Sequence, residues 1–92
     1  IDSGVSGKIS NSIAEVMGTI STKLQVFTIT HLPQVAAKGN HHFRVKKKVE
    51  NDKTITFLEV LNQNSRIEEI AKMLSGNRVT KTAIQHAKQL MN

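Results

Sequence analysis

The period of the apolar residues changes once between Lys8 and Thr30, and that change constrains the fold more than any other feature. Ile9, Ile13, Val16 and Ile20 recur at helical spacing, forming one stripe over three turns from Lys8 to Thr22. The run from Leu24 to Thr30 that follows is β-branched, aromatic and nearly continuous in apolarity. Such a run suits a buried strand of a parallel sheet. Gly4 and Gly7 precede the helix, so it starts from a loop that another backbone can approach closely. Loop, helix and strand in this order make the second half of a βαβ unit, whose first strand would lie ahead of Ile1.

The remaining elements follow from local signals. Pro33 fits the first turn of a short helix over Pro33–Lys38, closed near Gly39 and Asn40. Phe43, Val45 and Val49 alternate with Arg44, Lys46 and Lys48, and Ile55, Phe57 and Leu61 alternate with Thr54 and Thr56. With Asn51 and Asp52 as the turn, residues 41–61 are predicted to form an antiparallel hairpin. Ser65 and Glu68 have the spacing of a capping box, placing two final helices within residues 65–91. Ile67, Ile70, Ala71 and Leu74 stripe the first, Gly76 ends it, and Thr80 caps the second. Ala83, Ile84, Ala87, Leu90 and Met91 are expected to face inward. The predicted class is α/β: helix, one core strand, short helix, hairpin and two packed helices.

Ninety-two residues suit one small domain with a thin core. With three Phe, no Trp and no Tyr, that core must come from Ile, Val, Leu, Ala and Met. The absence of cysteine excludes disulfides and thiolate metal sites. No apolar run approaches the roughly 18–20 residues of a membrane span, so a soluble chain without a membrane partner is expected. Thirteen Lys+Arg against seven Asp+Glu give a formal charge of +6, which favours acidic partners, nucleic acid first. The same charge also lies in the range a small domain uses for solubility.

Four groups of residues bear on chemistry. The Gly4-to-Lys8 stretch has the Gly-Lys pair of a phosphate-binding loop. However, Asp2 stands where that motif needs its first Gly, and Ile9 where it needs Ser or Thr, so the motif is absent. His31 follows the expected core strand, which places it where ligands bind in open α/β sheets. There an imidazole can donate to a phosphate oxygen or orient a water. Arg44, Lys46 and Lys48 share one strand face and can contact DNA phosphates, although lysines also serve to keep an exposed strand solitary. His41 and His42 point to opposite faces of a strand and no carboxylate stands at ligand spacing, so no metal site is expected.

The residues Ile1-Asp2-Ser3-Gly4-Val5-Ser6-Gly7, with Ile29-Thr30-His31-Leu32-Pro33-Gln34-Val35-Ala36-Ala37, resemble the C-terminal lobe of the RecN ATPase head. RecN proteins form a bacterial DNA repair family within the SMC/ABC-type ATPase superfamily. The resemblance extends through the hairpin and the stretch Ile67–Gly76 to the last helix, so it covers essentially the whole chain. It implies that residues 1–7, with Asp2, Ser3 and Gly4, form the D-loop at a dimer interface beside the nucleotide. Ser6 stands where many relatives carry Asp, implying a polar contact there. It implies that residues 24–37 carry the switch histidine, His31, which contacts the γ-phosphate in the closed dimer.

The resemblance further implies ATP and Mg2+ in the full-length protein, DNA as a partner, self-association through ATPase heads and a cytoplasmic, nucleoid-associated setting. The phosphate loop, signature motif and Walker B carboxylates would lie outside these 92 residues. The segment alone is therefore expected to bind ATP weakly, to hydrolyse none and to need no cofactor. Its single core strand would have an uncovered edge, inviting self-association. The alternative reading is a freestanding basic DNA-binding module.

Overall fold

A computed structural model describes residues 7–76 and 78–92. The elements, in chain order, are α1 (Gly7–Ser21), α2 (Pro33–Ala37), β1 (Phe43–Glu50), β2 (Lys53–Val60), α3 (Gln63–Ser75) and α4 (Lys81–Met91). Among the described residues no helix is long and apolar enough to cross a membrane.

The core is a three-helix arrangement. Ile70 and Ala71 of α3, Ala83 and Ala87 of α4, and Ala37 at the end of α2 are buried together. Ile67, Leu74, Ile84, Leu90 and Met91 pack around them, so both helical stripes face inward as their sequence period predicts. Three of the central residues of α3 and α4 are alanines, which let the backbones approach closely. The helix ends are fixed by side chains: the Thr80 hydroxyl accepts from Ala83 N at 3.0 Å. Gly76 ends α3 with φ 76°, in the left-handed region that favours glycine.

The start of α3 corrects the capping-box assignment. Asn62, not Ser65, is the N-cap, its side-chain oxygen accepting from Ser65 N at 2.9 Å. Both residue types cap well. The earlier one prevails because β2 ends at Val60, leaving Asn62 in extended backbone (φ −80°, ψ 179°) directly before the helical turn.

The hairpin forms as predicted, with register from Phe43 opposite Val60 to Glu50 opposite Lys53. Asn51 (φ 49°) and Asp52 (φ 62°) make a two-residue turn with both φ positive, the twist that matches right-handed strands. One further bond, from Leu61 N to His42 O at 3.0 Å, closes its base.

The expected core strand over Leu24–Thr30 is absent: these residues are irregular, and Phe27 and Ile29 are 79% and 100% exposed. The reason is one of partnership. A parallel strand needs neighbouring strands to complete its ladder and layers to cover both faces. Among the described residues, the other two strands pair only with each other. A helix satisfies its own backbone, so α1 forms where the strand does not. It buries its small residues Ser10 and Ala14, packs against α2, and leaves Ile9, Val16 and Ile20 outward.

Candidate functional site

The site is built around the turn that carries His31. Thr30 Oγ1 accepts from Leu32 N at 3.0 Å, a side-chain bond that fixes the backbone on either side of the histidine. Leu32 is extended (φ −90°, ψ 118°), the conformation a residue before proline adopts. Its carbonyl accepts from Val35 N at 3.1 Å and Ala36 N at 3.0 Å, so α2 begins immediately after the histidine turn. His31 itself is exposed.

A five-residue helix has no stability of its own, and α2 is secured from three sides. Val35 and Ala37 are buried, and α2 touches α1, α3 and α4. Its C-terminal carbonyls are taken up by Arg66 of α3, whose Nη2 donates to Ala36 O (3.2 Å), Ala37 O (3.2 Å) and Gly39 O (2.7 Å). Lys38 Nζ adds a bond to Asn92 O at 3.0 Å, tying the same corner to the end of α4.

His31 opens on a broad cleft. His31, Lys38, His42 and Arg44 line it together with Ala14, Met17 and Gly18 of α1 and residues 24–30. The expected position of His31 at a strand end is thus replaced by a turn ahead of a clamped helix. Arg44 shares this cleft, whereas Lys46 and Lys48 lie farther along β1 and do not line it.

Arg44, Lys46 and Lys48 do share one strand face, together with Glu59 on β2. Each is ion-paired. Arg44 bridges Glu59 (2.8 Å) and Glu69 of α3 (2.9 Å), Lys46 reaches Glu59 (3.3 Å), and Lys48 reaches Glu50 (3.1 Å). The hydrogen bonds to Glu59 and Glu69 raise the Arg44 pKa. The bonds from Arg44 and then Lys46 hold Glu59 below the ordinary carboxylate value. Beside them His42 is half-buried, and burial, then Arg66, lower its pKa; Glu69 opposes this and Arg44 adds to it. Its Nδ1 is buried without a protein partner, an environment that suits a neutral ring.

Asp2, Ser3 and Gly4 lie outside the described residues. Among the described residues no group of three or more His, Cys, Asp or Glu is placed to hold a metal ion. Sequence reasoning missed Arg66, Glu59 and Glu69. Strand alternation is the only sequence signal for the Arg44–Glu59 pair, and it becomes specific only once the hairpin register is known. Arg66 lies between Ser65 and Glu68 in the sequence, and nothing local reveals that it reaches back to α2.

Comparison with known proteins gives a consistent result. The chain is 38% identical over 91 residues, 99% of its length, to the DNA repair protein RecN of Deinococcus radiodurans. It is 39% identical over all 92 residues to the DNA repair protein RecN of Halalkalibacterium halodurans. Against that of Bacillus subtilis it is 38% identical over 91 residues. It spans 16% of the length of each of these curated relatives. No family model matches the chain. A likeness running from end to end at this level in all three relatives is a family likeness: the chain belongs to the RecN family and matches the C-terminal part of its members.

Proposed function

We propose that this chain is the part of a RecN-type DNA repair ATPase that completes the nucleotide site when two heads close, in the bacterial cytoplasm at the nucleoid. His31 is its phosphate-facing residue, and Asp2, Ser3 and Gly4 form the D-loop at the head–head interface. The observation that carries this reading is the end-to-end match to DNA repair proteins named RecN, combined with an exposed histidine fixed between Thr30 and a clamped helix.

The chemistry asked of the chain is modest. Its sequence lacks the complete phosphate-loop motif: Asp2 and Ile9 occupy the positions that the Gly-Lys loop would need as Gly and Ser or Thr. ATP and Mg2+ are therefore bound by the rest of the full-length protein. His31 contributes an N–H directed at a terminal phosphate oxygen, a contact worth most where charge develops during transfer. DNA is engaged by the full-length protein. The freestanding DNA-binding reading is the weaker one, because every member of the Arg44, Lys46 and Lys48 set already has a carboxylate partner.

The test is His31→Ala in a full-length RecN polypeptide carrying this segment. Losing one transition-state donor should lower kcat about 100-fold while leaving KM within a few-fold. Unchanged turnover would refute the assignment. The 92-residue chain alone should show no ATPase activity above its own His31→Ala control.

A further inference from the structure

The clamp on α2 has a consequence for the histidine turn. The first residue of α2 is Pro33, two positions after His31, and its last carbonyls belong to Ala36 and Ala37. One guanidinium nitrogen of Arg66 accepts no alternative role among the described bonds: it donates to both of these carbonyls and to Gly39 O. Arg66 is half-buried, and burial lowers its pKa, so a charged side chain is drawn from water to serve backbone carbonyls. Its Nε is buried without a protein partner, so the side chain is not placed there by optimal pairing of its own donors. It lies on α3, whose Ile70 and Ala71 are fully buried in the core.

We infer that Arg66 is a positioning residue for His31: it fixes the far end of a one-turn helix to α3, and thereby fixes where the histidine turn presents its ring. This rests on the reading of His31 as the phosphate-facing group. The lever is short. Leu32 O bonds to Val35 N and Ala36 N, and the carbonyls of Ala36 and Ala37 bond to Arg66, so a single turn connects anchor and histidine. Without Arg66, Ala37 O and Gly39 O lose their side-chain donor and Ala36 O keeps only backbone N–H donors, so the single turn loosens from α3 and the His31 ring loses its fixed aim. The remaining ties are Lys38 N to Val35 O (3.2 Å), Gly39 N to Ala36 O (3.4 Å), Lys38 Nζ to Asn92 O and the burial of Val35 and Ala37; they keep the segment attached, but none joins its carbonyls to a side chain of α3.

The test is a double-mutant cycle in full-length RecN carrying this segment, with Arg66→Ala, His31→Ala and the pair, read as kcat and KM alongside the stoichiometry of bound non-hydrolysable ATP analogue. Misplacing a catalytic contact should lower kcat about tenfold in Arg66→Ala, with KM and binding stoichiometry within twofold. Arg66→Lys, which keeps the charge on a shorter side chain, should recover to within about threefold of the parent. Because Arg66 acts through His31, the double variant should be no slower than His31→Ala alone. If the two losses multiply, or if Arg66→Ala turns over within twofold of the parent, the positioning role is overturned while the His31 reading stands. If His31→Ala is itself harmless, both fall together. Should Arg66→Ala not fold, the same cycle with Arg66→Lys decides by the same additivity criterion.

Discussion

The two halves of this molecule treat similar apolar residues in opposite ways. In α3 and α4, Ile70, Ala71, Ala83 and Ala87 are closed off from water, with Ala37 of α2 between them. In α1, residues 24–30 and the hairpin, large apolar side chains stand outward, among them Val16 (58%), Val49 (73%) and Val60 (71%). Composition does not distinguish the halves; the location of each element's partner does. The stripes of α3 and α4 complement one another within 30 residues of sequence. Val16 and Ile20 of α1, and Leu24, Phe27 and Ile29 after it, stay exposed instead. Elements whose hydrogen bonds close locally, the helix and the hairpin, keep their form without such a counterpart, and a strand cannot.

The sharpest way to break this contrast is to truncate one isoleucine in each half. Ile70 is fully buried, so Ile70→Ala should destabilise by about 2–5 kcal/mol through lost transfer energy and the cavity left behind. Ile29 is fully exposed, so Ile29→Ala should stay within about 0.5 kcal/mol. Equilibrium denaturation of the 92-residue chain measures both. Comparable losses would show that the outward half is packed in solution and would dissolve the distinction.

Two threonines make a finer comparison. Thr80 caps α4 by accepting from Ala83 N, and Thr80→Ala should cost about 1 kcal/mol. Thr19 donates to Glu15 O on the exposed part of α1, a back-bond that adds little to helix stability. Thr19→Ala should therefore be neutral or slightly stabilising in the same denaturation experiment. A Thr19 variant as damaging as the Thr80 variant would mean that α1 depends on that hydroxyl for a contact outside the helix.

This pattern also explains what could be read before any coordinates. The α1 stripe, the Asn51-Asp52 turn, the strand alternation, Gly76 and Thr80 are encoded within a few residues of the structure they specify, and each stands where expected. Ser65 has the capping-box spacing, but the end of β2 at Val60 places the cap three residues earlier, at Asn62. The apolarity of the Leu24–Thr30 run is plain in the sequence, but the strand it predicts does not form, because strand formation depends on partners that its own residues do not encode. For the candidate site, His31 was legible as a polar residue between an apolar run and a proline. Its anchor Arg66 was not: thirty residues separate it from Ala36, and no periodicity connects an arginine to a distant carbonyl. The three-cation strand face is legible, but its pairing is not: Glu59 meets Arg44 and Lys46 only through the hairpin register, and Glu69 reaches Arg44 from another element.

The seam between the halves should report itself through pH, with the smallest effect of the set. His42 sits there, facing Arg66 and Glu69 of α3 and Arg44 of β1, and its pKa lies below the ordinary 6.5. Above that value the imidazole is neutral whether the chain is folded or unfolded, and the seam is intact. As the pH falls below 6.5, the unfolded chain takes up the proton first, so stability declines until the lowered folded pKa is passed. Glu59 behaves in the same direction but farther down: its stabilisation is present above the ordinary carboxylate value of 4.5 and is lost beneath it. The interval between the two therefore isolates the histidine. His42→Gln, which cannot gain a charge, should flatten the fall of Tm across that interval and leave the steeper loss below it. Coincident acid limbs for parent and variant would remove His42 from the seam's energetics and leave the Arg44 bridge to Glu59 and Glu69 as its polar link.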